Sequence, residues 1–189
     1  MPALARHSIL SVALLLAMLV GGPVLRAQEP LDTREPAHVA YLDGAVTLER
    51  DGQTETASVN TPIVAGDRLT TTAGRIEFLF PDGTVLDMDE YSIVEFLSPT
   101  LLRLLEGRVM LSVAGANDPA GATRYQVDTP VASARTDGPG EFRLAVLGAR
   151  DGNQTELAVL RGYATLATER GSSRFTVPPF ERTRGGSSS

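Results

Sequence analysis

The stretch Gly66-Asp67-Arg68-Leu69-Thr70-Thr71, continued by Gly74-Arg75-Ile76-Glu77-Phe78-Leu79-Phe80, Asp82-Gly83-Thr84-Val85-Leu86 and Leu104-Leu105-Glu106-Gly107-Arg108-Val109-Met110-Leu111, decides the fold. Ile76, Phe78 and Phe80 stand two apart and share one face, with Arg75, Glu77 and Leu79 on the other. That period of two is the repeat of a pleated strand. Asp82-Gly83 and Glu106-Gly107 read as turns, because such pairs tolerate positive φ. Leu101 to Leu105 holds four leucines, and Gly107 follows too soon for a helix, so this run also reads as strand.

The same pattern extends in both directions. Val39 to Leu42 leads through Asp43-Gly44 into Ala45 to Arg50, and Asp51-Gly52 is a hairpin turn. Gln53 to Val59 is a polar strand or loop, and Pro62 to Gly66 a turn-containing connection. Ile93 to Phe96, Tyr125 to Val127, Val131 to Arg135, Phe142 to Val146, Thr155 to Leu160, Tyr163 to Thr168 and Phe175 with Val177 are further strands. Gly115 to Gly121 is a loop, while Asp137-Gly138-Pro139-Gly140 and Asp151-Gly152-Asn153 are turns. A weak echo links Asp43-Gly44-Ala45-Val46, Asp82-Gly83-Thr84-Val85, Glu106-Gly107-Arg108-Val109 and Arg161-Gly162-Tyr163-Ala164. Its irregular spacing argues against a strict repeat. The expectation is an all-β domain, a two-layer or solenoid-like stack of short, mostly antiparallel strands built from a recurring turn-plus-strand unit.

The ends carry different chemistry. Arg6 and His7 precede the apolar run Ile9 to Val20, which Gly21-Gly22-Pro23 breaks, and Ala27 offers a small residue for cleavage. A run of about 12 residues suits a signal peptide better than a membrane span. Residues 1–27 are therefore expected to be a signal peptide, with an uncleaved inner-membrane anchor from His7 to Leu25 as the alternative. Residues 28–36 read as a linker, 37–178 as the β domain, and 179–189, ending in Gly185-Gly186-Ser187-Ser188-Ser189, as a disordered tail. The expected location is periplasmic or secreted, with no membrane span after cleavage.

Charge and composition exclude several functions. The chain's net charge is −6, and cleavage would remove Arg6 and Arg26, giving −8. That sign repels nucleic-acid phosphates and anionic lipid. Every basic residue is Arg, so no amine exists for Schiff-base or P-loop chemistry, and no Cys exists for a thiolate or a disulfide. A mature chain of about 160 residues buries roughly 68–70% of its unfolded surface and needs no staple.

Candidate chemistry is sparse. Asp87, Asp89 and Glu90 are the densest acidic cluster and offer oxygen ligands for Ca²⁺, but no Gly-bent loop adds further ligands, so a solvated strand end is the preferred reading. Asp43, Asp51, Asp82, Asp137 and Asp151 each precede Gly, which turn chemistry explains without catalysis. His38 is the one His beyond the expected signal segment, too few for a triad or a His-rich metal site. Gly138-Pro139-Gly140 and Gly171-Ser172-Ser173 lack a phosphate-binding fingerprint. The sequon Asn153-Gln154-Thr155 sits in a turn and reads as chance. Tyr41, Tyr91, Tyr125 and Tyr163 read as strand caps or core-edge fillers ahead of a binding face. No catalytic, cofactor-binding or metal residue is assigned, and no cofactor.

From about Ala37 to Val177 the chain resembles the FecR domain family. Gly44-Ala45-Val46, Val64-Ala65-Gly66-Asp67-Arg68-Leu69-Thr70-Thr71, Gly74 to Phe78, Asp82 to Leu86, Leu104 to Val109, Tyr125 to Pro130, Glu141-Phe142-Arg143 and Leu160-Arg161-Gly162 match in order. The resemblance implies an all-β domain outside the inner membrane. In the family's founding members it implies relay of a signal from an outer-membrane iron transporter to a cytoplasmic sigma factor. Only eight residues precede the apolar run here, and the chain ends in a Gly/Ser tail. The expected likeness is therefore to stand-alone secreted FecR-domain proteins, with Val127-Asp128-Thr129-Pro130 and Gly140-Glu141-Phe142-Arg143 in common. The expected function is a non-catalytic protein-binding or sensor module of the bacterial cell envelope, linked to signal transduction, whose partner is an envelope protein and not nucleic acid. The alternatives are a structural, self-associating envelope component and, ranked below it, a glycan-active enzyme using paired carboxylates.

Overall fold

Three long strands set the architecture: β1 (Ala37–Arg50), β4 (Arg68–Leu79) and β7 (Leu101–Val113). Around them lie β2 (Gln53–Thr56), β3 (Pro62–Ile63), β5 (Val85–Met88), β6 (Ile93–Ser98), β8 (Gln126–Asp128), β9 (Ala132–Thr136), β10 (Gly140–Leu147), β11 (Gln154–Arg161), β12 (Tyr163–Thr168) and β13 (Gly171–Thr176). The structure is a computed structural model, and it describes residues 35–115, 124–147 and 154–176. The expected signal peptide, nearly all of the linker, Asp151 to Asn153 with its sequon asparagine, Val177 and the tail lie outside the described residues.

Each long strand buries one parity in its first half and the other in its second. In β4, Leu69 and Thr71 are buried and then Ile76 and Phe78; in β7, Leu102 and Leu104, then Val109, Leu111 and Val113. In β1 the switch runs from Ala37 and Val39 to Val46 and Leu48. A switch of parity turns a strand's apolar face over. The three strands therefore pass from one layer to the other, and a single hydrogen-bonded sheet is folded along a crease.

One layer runs in the order β3, β1, β4, β5, β7, β10, β11, using the first half of β1 and the second halves of β4 and β7. The other runs β2, β1, β4, β6, β7, β8, β9, β12, β13, using the remaining halves. All pairs are antiparallel except β7 with β8. Phe78 from one layer meets Phe96 from the other edge-on at 5.1 Å, and Phe80 stands against Tyr125 at 5.2 Å. Both layers feed one core, in which each fully buried Leu or Phe contributes about 1.5–3 kcal/mol.

Two expectations change here. Asp43-Gly44 and Glu106-Gly107 do not reverse the chain. Both lie inside continuous strands, with Asp43 opposite Arg75 and Gly44 opposite Gly74. At that crossing β1 and β4 approach so closely that a Cβ on Gly44 would overlap the Ala73 carbonyl, and one on Gly74 the Asp43 carbonyl. The glycines serve close approach and a corner, as does any Gly where backbone meets backbone. The recurring unit is thus a strand with a corner in it, and the layout is two-layered. Asp51-Gly52 is a true two-residue hairpin turn, with φ of 52° and 73° between paired Arg50 and Gln53. Asp82-Gly83 also turns the chain, with Phe80 N–H bonded to Thr84 O at 2.9 Å. The leucine run is strand, as its spacing to Gly107 predicts.

Candidate functional site

The crease carries a cluster of charge. Where β1 and β4 cross, an open groove of about 450 Å³ is lined by Asp43, Arg75, Asp89, Glu90 and Arg108. The segment that carries Asp89 and Glu90 is tightly bonded. Thr71 Oγ1 donates to Asp89 O at 2.6 Å and accepts from Ser92 N at 3.0 Å, and Ser92 Oγ accepts from Arg108 N at 2.9 Å. Thr71 and Ser92 are buried, so these bonds hold the segment that carries the chain from β5 to β6 across the layers. At the rim, Arg108 pairs with Asp89 at 3.2 Å, both about half exposed. Asp87 lies outside the groove, on the outer face of β5 opposite Glu77. Its carboxyl is held above the ordinary carboxylate range, chiefly by burial of the carboxylate, then by the charges of Glu77 and Asp89, against the opposing pull of Arg75.

The arrangement therefore separates the acidic cluster. Asp89 is engaged by Arg108 and Asp87 points from a different position. Among the described residues no group of three His, Asp or Glu side chains is placed to hold a metal ion.

The remaining singled-out residues scatter. His38 sits between Pro62 and Leu79 at the start of β1. Asp137 pairs with Arg174 at 3.2 Å, and Arg174 also lies over the Tyr163 ring at 4.9 Å. Tyr41, Tyr91 and Tyr163 are exposed, whereas Tyr125 is buried and donates its hydroxyl to Asp82, 3.0 Å from Oδ2. Gly138-Pro139 links β9 in one layer to β10 in the other.

Sequence reasoning missed the most completely buried charge. The Asp67 side chain is 0% exposed. Its Oδ1 accepts from Arg50 Nε at 2.7 Å, and its Oδ2 from Arg50 Nη2 at 2.7 Å and from Val64 N at 2.8 Å. Arg50 Nη2 also donates to Pro62 O at 2.8 Å, so this fork ties the end of β1 to the loop before β4. The one signal was an Asp straight after Gly66, which reads as a turn residue.

A second charged feature crosses the outer face of the layer that contains β6. Registered neighbours Glu49, Arg68, Glu95, Arg103 and Asp128 alternate in sign over five strands. Arg68 bonds Glu95, and Arg103 lies 3.2 Å from the same carboxylate. The Glu95 hydrogen bond, ahead of its charge, holds the Arg68 guanidinium still higher above neutrality than usual. Glu49, Arg68, Glu95 and Arg103 pair with one another, and Asp128 accepts instead from Gln126 Nε2 and Ser133 Oγ, which leaves a self-satisfied face.

A two-layer β domain, antiparallel in all but one strand pair, with a charged groove at its crease is what fold and site define. The family model described as FecR protein matches residues 67–165, which is more than half of the chain, and the chain belongs to that family. No curated protein matches it. Two crystal structures described as a candidate anti-sigma factor from Parabacteroides distasonis are similar. One has 19% identity and a TM-score of 0.43, over 57% of this chain and 49% of that one. The other has 17% identity and a TM-score of 0.45, over 58% and 50%. The chain thus spans about half the length of the solved chains it matches.

Proposed function

We propose that this chain is an exported FecR domain that works as a non-catalytic protein-binding or sensor module of the bacterial cell envelope, within a signal-transduction pathway. Family membership supports the signalling role. The apolar run Ile9 to Val20 with its Gly-Gly-Pro break supports export.

The observation that carries the binding role is β13. All six of its residues are exposed, β12 is its one partner among the described strands, and it presents the exposed Phe175 ring on one face and Arg174, set over the exposed Tyr163 ring of β12, on the other. A strand of this kind accepts a partner's extended segment by main-chain pairing, with an aromatic anchor for specificity. The partner is an envelope protein that contributes such a segment.

The test is capture from envelope extracts with the chain and with Phe175→Glu as paired baits, alongside fractionation and N-terminal sequencing. The expected result is an envelope protein held by the wild type and lost by the variant, with a processed chain beginning near Gln28. Identical capture by both baits, or a chain recovered in the cytosol, overturns the proposal.

A further inference from the structure

The sheet edges are not alike. β2 is four exposed polar residues, β3 is two residues opening with Pro62, and β13 is polar apart from Phe175. β11 is eight residues long, carries Leu157-Ala158-Val159-Leu160, and pairs only with β10 among the described strands. Leu157 and Val159 are only partly buried against the core. A long apolar edge of this kind is one that proteins cover or pair.

We propose that β11 is covered by β11 of a second copy of this chain, antiparallel about a two-fold axis through Leu157. This deepens the binding-module reading but concerns a different edge from β13.

The register follows from symmetry. A two-fold axis perpendicular to the sheet keeps each face on its own side, so directly opposed residues have the same parity and the axis passes through one residue. The straight part of β11 ends at Val159. Beyond it the register with β10 slips, and Arg161 turns to the outer face to meet Glu141 at 3.2 Å. An axis through Ala158 would need the slipped Leu160, and one through Glu156 would set two carboxylates face to face. An axis through Leu157 uses the straight part alone. On the core side it sets Leu157 against Leu157 and Thr155 against Val159.

Charge agrees with this choice. On the outer face Ala158 lies beside Arg143 of β10, and the proposed register sets Glu156 of the second copy on the other side of Ala158. Two strand spacings span about 10 Å, which an Arg and a Glu bridge over a methyl group. Neither Arg143 nor Glu156 has an ion-pair partner among the described residues. The dimer supplies one to each, twice.

Sedimentation equilibrium of the full chain over a concentration series tests this. Glu156→Arg and Arg143→Glu alter exposed positions, and each is expected to weaken the dimer about tenfold or more. The double swap is expected to restore it to within about threefold. A second readout uses the absence of native cysteine: Ala158→Cys and Glu156→Cys chains are expected to form a disulfide with each other faster than either does with itself. A monomer at about 0.1 mM, single swaps without effect, or cross-linking indifferent to the mixture overturns the dimer. β13 capture is read separately by the Phe175 bait, so one result can fail while the other stands.

Discussion

Asp67→Asn is the sharpest test of what holds the domain together. The substitution keeps shape and volume but replaces one oxygen by an amide donor. If the nitrogen takes the Oδ1 position it faces Arg50 Nε; in the Oδ2 position it faces both Arg50 Nη2 and Val64 N. Either way donor meets donor at a side chain that is 0% exposed. Breaking a fully buried ion pair costs about 3–5 kcal/mol. The Arg50 side chain remains 33% exposed, so water compensates part of the loss. The expected cost is about 3 kcal/mol, a fall in Tm of about 6–12 °C for a domain of this size. Urea denaturation measures it, with Arg50→Met and the double variant completing a cycle. The double variant is expected to cost at least about 1 kcal/mol less than the sum of the singles. A single substitution within about 0.5 kcal/mol of wild type, or strict additivity, would refute the view that this fork anchors the β1 to β4 connection.

Two further outcomes are expected. Gly107 and Gly83 have nearly equal φ, 84° and 83°, but a Cβ on Gly107 would lie 2.5 Å from Tyr91 O, whereas on Gly83 it meets only Ala114 Cβ at 3.5 Å. Gly83→Ala should cost about 1 kcal/mol from backbone strain, and Gly107→Ala at least about 2 kcal/mol more, so equal losses in thermal unfolding would show that the corner is not crowded. Asp87 binds its proton more tightly folded than unfolded, so its ionised form opposes folding above the raised pKa, and that cost disappears as pH falls toward the ordinary value of 3.8. Asp87→Asn should therefore stabilise slightly near neutrality at low salt and lose its advantage by about pH 3, and a urea-midpoint difference that does not change with pH would contradict this.

The alternation of Ile76, Phe78 and Phe80, and of Phe142, Leu144 and Val146, determined strand, and with it the buried face, because side-chain direction in a strand depends only on parity. Asp51-Gly52 determined a hairpin for an equally local reason. What Asp43-Gly44 and Glu106-Gly107 do was not local. The same dipeptide chemistry permits a reversal or a corner, and only pairing with β4, β6 and β10 made them corners. The site followed the same division. Acidic residues close in sequence, Asp87, Asp89 and Glu90, were legible as a cluster, but strand geometry set Asp87 opposite Glu77 on the outer face of β5, while Asp89 and Glu90, beyond the strand's end, line the groove. Asp67 and Arg50 are 17 residues apart, and Arg68 and Glu95 are 27 apart; such partnerships are written in register, which tertiary pairing alone decides.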